Sequence, residues 1–207
     1  MSITTRAELI AATKRWAQND ELSDEAHEDF LEMTEAHVNA RLRVQDMTAR
    51  VITTTASGQS IYNLPSDARG IRNIEIEAQG KRYPLEPYSP EALDDHFGWY
   101  SQQNTPCAYA LTGLDLEIQP VPSGNFPMRI IYYQQVPALT VSAPTNWLLT
   151  KYPNIYLYGG LHFMMEYLRD EEGMQYWGTK FSGAVDEATA ADAEDRWSGA
   201  TPMMRAG

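Results

Sequence analysis

The sequence predicts an α+β protein. Helices from the two ends of the chain pack as a bundle, and the middle forms a β-rich layer or lobe of about five to seven short strands. Three observations carry this reading. Apolar residues recur at helical spacing before residue 48 and after residue 146. Between those points β-branched residues alternate with polar ones, and Gly, Pro, Asn and Ser separate the short runs. The 207 residues, 43% of them hydrophobic with five Trp and twelve Tyr, are enough for one domain with a real core, or for one domain with an appended module. The expected division is 1–48 with 146–197 as the helical bundle, 49–145 as the β-rich insertion and 198–207 as a C-terminal tail.

Thr5-Arg6-Ala7-Glu8 is a capping-box pattern, in which the Thr hydroxyl and the Glu carboxylate satisfy the free N–H groups of a helix start. Leu9, Ala12, Thr13, Trp16 and Ala17 follow at helical spacing, and Asn19-Asp20 ends the run. A second helix is predicted from Ser23 or Asp24 to about Leu42, with Phe30, Leu31, Thr34, Val38 and Leu42 as its apolar face. Val51, Thr53 and Thr55 then alternate as a strand, and Ser57-Gly58 turns the chain. Ile61 to Leu64 is a second extended piece, closed by Pro65. Ile71, Ile74 and Ile76 fit a strand with a bulge, and Gln79-Gly80 returns it as a hairpin with Arg82 to Leu85. Ser89-Pro90-Glu91 is a helix start with Pro at the first helical position, where its missing N–H costs nothing; that helix ends near Gly98. Tyr109 to Thr112, Leu114 to Gln119 and Met128 to Gln135 read as three further strands, and 136–145 is a linker back to helix.

The C-terminal quarter is helical. Pro153 starts a helix running to about Asp170, with one stripe of Leu157, Leu161, Met164 or Met165, and Leu168. Tyr156, Gly160, Phe163 and Tyr167 form a second stripe, so this helix is buried from two sides. The pair Gly159-Gly160 costs about 1 kcal/mol per glycine relative to alanine, which close approach of another backbone would offset. A last helix from about Glu171 to Trp197 carries the seam Met174, Trp177, Phe181, Ala184, Ala188 and Ala191, with Gly178 and Gly183 as possible interruptions. Residues 198–207 have no period, the pattern of a segment that orders on a partner.

Composition narrows the function. The net charge is -12, with no Lys/Arg cluster of the kind that neutralises phosphates. Cys107 is the one cysteine, so an intrachain disulfide and a cysteine zinc site are both excluded. MSITTRAELI has no apolar run, which predicts no secretory signal, and no stretch reaches the roughly 20 apolar residues of a membrane span. The expectation is a soluble protein of a reducing cytoplasm. His27, His37, His96 and His162 lack the i, i+4 pairing of a helical zinc site. There is no phosphate loop, no GxGxxG and no GxSxG. Glu25, Glu28, Glu32 and Glu35 form an acidic stripe that reads as a solvated helix face. A hydrolase would need two carboxylates held across a cleft, and the expectation is no catalytic residue, metal or cofactor.

The stretch Asn146 to Leu168 combines Trp147, Phe163, four tyrosines, Pro153 and Gly159-Gly160. Its pieces Asn146-Trp147-Leu148-Leu149, Pro153-Asn154 and Tyr156-Leu157-Tyr158-Gly159 resemble the recurrent C-terminal pattern of the head-to-tail adaptor (connector) proteins of short-tailed bacteriophages. Asn154 stands where Asp is common in that family, and Gly160 where Ala is common. Ala36 to Arg43, Leu64-Pro65-Ser66-Asp67, and Ile130-Ile131-Tyr132-Tyr133 through Pro137-Ala138-Leu139 are similar to other family segments in the same order, so the resemblance covers about residues 4 to 190.

The resemblance implies a structural virion protein at the head–tail interface, assembled in the host cytoplasm. It implies a ring of twelve copies under the portal protein, presenting a platform to the tail or nozzle protein, with double-stranded DNA passing through the lumen. It carries no catalytic residues. Under it, Glu25, Glu28, Glu32 and Glu35 are the candidate lumen-facing carboxylates. Trp197, Pro202, Met203, Met204 and Arg205 are the candidate portal contacts. The rival readings are a tail-tube or capsid-associated component and, more remotely, a carboxylate-based hydrolase.

Overall fold

The computed structural model describes residues 3–19, 21–98 and 102–197, without the side chains of residues 196 and 197. In chain order these form helices α1 (Arg6–Ala17) and α2 (Asp24–Arg41), then strands β1 (Thr48–Thr54), β2 (Ile61–Asn63), β3 (Ala68–Ala78), β4 (Lys81–Pro84) and β5 (Glu86–Pro87). Helix α3 (Pro90–Phe97) precedes β6 (Ala108–Thr112), β7 (Asp115–Gln119) and β8 (Pro127–Gln134), and the chain closes with α4 (Trp147–Lys151), α5 (Pro153–Tyr167) and α6 (Glu171–Trp197). The class is α+β, helical at both ends and strand-rich in the middle. Two compact units result: Met1–Asp46 with Val136–Gly207, and Met47–Gln135.

In the helical unit the capping chemistry sets the helix ends. Thr5 accepts from the Glu8 N–H, and the Glu8 carboxylate accepts from the Thr5 N–H, completing the capping box. Gln18, in the left-handed region at φ 52°, stops α1 just before Asn19. Ser23 caps α2 through the Ala26 N–H, and Leu42 turns extended to end it. The break between α4 and α5 falls at Tyr152, because Pro153 disfavours helical geometry in the residue before it. α6 runs unbroken over 27 residues, about 40 Å. The seam predicted for it is buried at Phe181, Ala184 and Ala188, while Met174, Trp177 and Ala191 are half-buried. Gly178 does not interrupt it. A Cβ there would come within 3.1 Å of the His162 ring, so the glycine is where α5 presses an imidazole onto α6.

The strand unit holds two four-stranded sheets, β1-β8-β3-β4 and β2-β7-β6-β5. All pairs are antiparallel except β5 with β6. Register puts Ile74 opposite Ile130 and Ile76 opposite Met128. Two register shifts between Ala68 and Asn73 supply the expected bulge. Gln79 and Gly80, both at positive φ, make the β3–β4 turn. Inward residues of both sheets, including Ile76, Leu116, Ile118 and Met128, form one buried cluster. The strand beyond the expected number is β5, only two residues long, too short to carry a period of two.

Residues 136–145, expected to go with the strands, belong to the helical unit. Side chains of α2 fasten them: Asn39 Oδ1 accepts from the Val136 N–H at 2.8 Å, and Glu35 Oε1 accepts from the Leu139 N–H at 2.8 Å.

Candidate functional site

The Asn146–Gly159 motif folds into a buried polar junction. Asn146 is the N-cap of α4, its Oδ1 accepting from the Leu149 N–H at 2.8 Å. Its amide nitrogen donates to the Pro137 carbonyl and to the Tyr156 hydroxyl, each at 2.7 Å. The Tyr156 hydroxyl in turn donates to Glu35 Oε1 at 3.1 Å. One asparagine therefore ties the re-entering chain, the α4 start and α5 together, and Glu35 completes the junction from α2. Trp147 is half-buried at the first position of α4, and Leu148 and Leu149 are fully buried. Pro153 opens α5, with Asn154 half-buried beside it. Leu157 is buried.

Tyr156 and Tyr158 stand two residues apart, so they leave α5 on nearly opposite sides. Tyr156 is buried and faces Glu35. Tyr158 is half-buried, its ring 5.8 Å from that of Trp177. Gly159 lies between α2 and α6. A Cβ there would press on the Thr34 side chain, 2.8 Å from its Oγ1, and reach within 3.2 Å of the Phe181 ring. The close approach expected of this glycine is therefore made by side chains and not by another backbone.

The acidic stripe does not stay together. Glu25, Glu28 and Glu32 are exposed, while Glu35 is only 9% exposed. Spacings of 3, 4 and 3 lag the helical period, so over ten residues the stripe turns by about 80° and carries Glu35 into the core. Burial pushes the Glu35 carboxyl above its ordinary value of 4.5, and the hydrogen bonds from Leu139 and Tyr156 work against that rise. Burial beside Glu35 also pushes the Tyr156 hydroxyl well up, so it stays protonated and able to donate. Glu28 pairs with Arg6. The polar role of Glu35 was hidden because acidic spacing alone reads as a solvated face. Asn39, one turn further along the buried side, was the available signal.

The four histidines lie against rings or backbone carbonyls. His27 is buried with Nδ1 2.9 Å from the Ser23 carbonyl, and His37 lies 5.0 Å from the Phe181 ring. His96 stacks on Tyr88, and His162 Nδ1 lies 3.0 Å from the Met174 carbonyl. Cys107 borders a cleft of about 510 Å³ with Tyr83, Tyr88 and Phe97. Cys107 is itself exposed, and partial desolvation with the nearby Glu86 charge pushes its thiol up. Among the described residues no group of three or more His, Cys, Asp or Glu is arranged to hold a metal ion, and no helix is long and apolar enough to cross a membrane. Of the candidate portal contacts, Trp197 ends α6, but its side chain, with Pro202, Met203, Met204 and Arg205, lies outside the described residues.

The family model described as SU10 adaptor protein matches residues 4–205. The chain belongs to the SU10 adaptor protein family. It is thus a phage head-to-tail adaptor by family, a structural component of the virion. No curated protein matches the chain. In this adaptor the family-like stretch builds the junction that holds α2, α4 and α5 to the re-entering chain.

Proposed function

We propose that the protein forms a ring of twelve copies between the portal protein and the tail or nozzle protein, and that double-stranded DNA passes through its lumen without specific binding. The observation that carries this is the match to the adaptor family along nearly the whole chain. Charge supports it. Twelve copies at -12 each carry about -144, and an acidic conduit repels a phosphate backbone and does not hold it. Glu25, Glu28 and Glu32 are the members of the stripe exposed to such a lumen; Glu35 is not. Residues 198–207 supply portal contacts, with Trp197, Met203 and Met204 as apolar anchors and Pro202 and Arg205 beside them. The virion is where the protein works, and the host cytoplasm is where it is assembled.

Negative-stain imaging of the protein with its portal tests the ring. Twelvefold rings seated on the portal support it. Six- or threefold particles point to a tail-tube or capsid-associated component and would replace it. A chain lacking 198–207 that binds the portal as tightly as the full chain would remove the tail from the contact.

A further inference from the structure

The helical unit shows two apolar patches on opposite sides of α5. The first gathers rings from three helices around Trp177. Trp16 of α1 is 5.9 Å away, Tyr158 of α5 is 5.8 Å away and Tyr176 is 4.9 Å away. Trp16 and Tyr176 remain 50% and 55% exposed, which is far more aromatic surface than a solvated helix needs. Two cations and one anion border it, the anion being exposed Glu172 one turn before Tyr176. Lys180 stands 5.8 Å above the Tyr176 ring, and Arg15 is exposed next to Trp16.

The second patch lies where α5 meets α2. Phe30 sets its ring 5.7 Å from Tyr167, and Met33 is about one turn further along α2. Tyr167, Met33 and Leu168 are 63%, 51% and 40% exposed. Asp29 and Glu166 are exposed anions beside these residues, and Arg169 is an exposed cation next to Leu168. Tyr158 and Tyr167 are nine residues apart, about two and a half turns, so the two patches leave α5 in opposite directions.

A subunit in a closed ring needs two different surfaces that fit each other, one for each neighbour. We infer that the Trp16–Tyr158–Tyr176–Trp177 patch of one copy seats the Met33–Tyr167–Leu168 patch of the next copy, with Arg15 and Lys180 facing Asp29 and Glu166. The inference rests on the ring reading and adds which faces close the ring. Charge favours a second copy as the occupant. Arg15 and Lys180, on a chain of net charge -12, find their complement on the acidic faces of that same chain, and aromatic rings and a methionine pack well together.

The test is a charge exchange read by sedimentation velocity on the full chain, alone and with its portal protein. Arg15→Glu with Lys180→Glu is expected to weaken association between copies about tenfold or more, and Asp29→Lys with Glu166→Lys likewise. The four changes together restore association, because the rims are exchanged and not removed. Trp16→Ala weakens it through lost contact alone. Circular dichroism confirms that each variant folds. A wild type that assembles while both charge pairs leave assembly unchanged overturns the patch assignment and leaves the ring intact. Variants that assemble normally but lose portal binding overturn it in favour of the portal. A wild type that stays monomeric with and without portal overturns the ring and the patches together.

Discussion

The helical unit and the strand unit solve the same burial problem with different chemistry. The strand unit closes on an almost wholly apolar cluster, in which Ile74, Ile76, Leu116, Ile118, Met128 and Ile130 meet between two sheets. The helical unit buries Thr13, His27, Thr34, Glu35, Asn39 and Asn146 among its aliphatic residues. An apolar core accepts any well-fitting volume. A buried polar junction accepts only groups that complete its hydrogen bonds, since an orphaned donor or acceptor costs about 1–3 kcal/mol. The strand unit should therefore be tolerant in identity and strict in volume, and the helical unit strict in both.

The largest effect expected is at Tyr156. Tyr156→Ala leaves a cavity and strips a partner from Asn146 and Glu35, and should cost about 3–5 kcal/mol in urea unfolding. Tyr156→Phe keeps the volume and should still cost about 1–2 kcal/mol. A silent Tyr156→Phe would erase the contrast between the units. In the strand unit, Ile118→Ala should cost about 2–5 kcal/mol, whereas Ile118→Val should cost only about 0.5–1.5 kcal/mol.

The glycine pair gives a smaller, paired effect. Gly159→Ala should lose about 1–3 kcal/mol against Thr34 and Phe181, and Thr34→Ala should recover much of that in a double-mutant cycle. Gly160→Ala meets nothing closer than 3.7 Å and should be neutral or stabilising by up to about 1 kcal/mol. Equal costs at the two positions would refute the side-chain packing account.

The smallest effect is a pH dependence. The native Glu35 carboxyl titrates above its ordinary 4.5 because it is buried, so the native state holds that proton more tightly than the unfolded chain does. The resulting stability is fully present below 4.5 and is lost as pH rises through the native value. Thermal melts from pH 4 to 8 should show the wild type losing stability relative to Glu35→Gln as pH rises. A constant difference, or one that grows in the wild type's favour, would contradict it.

Much of the fold was legible because its signals are local. Thr5 with Glu8, Ser23, Ser89-Pro90 and Pro153 mark helix starts where the structure has them. The alternation of Val51 and Thr53 and the Gln79-Gly80 turn do the same for strands. The junction was not legible, because its parts are far apart in sequence. Glu35 and Tyr156 meet across 121 residues, and Asn39 reaches Val136 across 97. Asn146 could be recognised as part of a motif from its neighbours, but its three hydrogen bonds required the fold. Tyr158 was assigned to no stripe and became the base of an exposed patch, since only α1 and α6 bring Trp16 and Trp177 to it.

The central claim is that this adaptor works as a closed ring of copies on the portal. Native mass spectrometry of the full chain, alone and mixed with its portal protein, counts the copies directly. The ring reading predicts twelve copies in contact with one another on each portal assembly. One copy per portal subunit without contact between copies, or a stable particle of another count that ignores the portal, would contradict it.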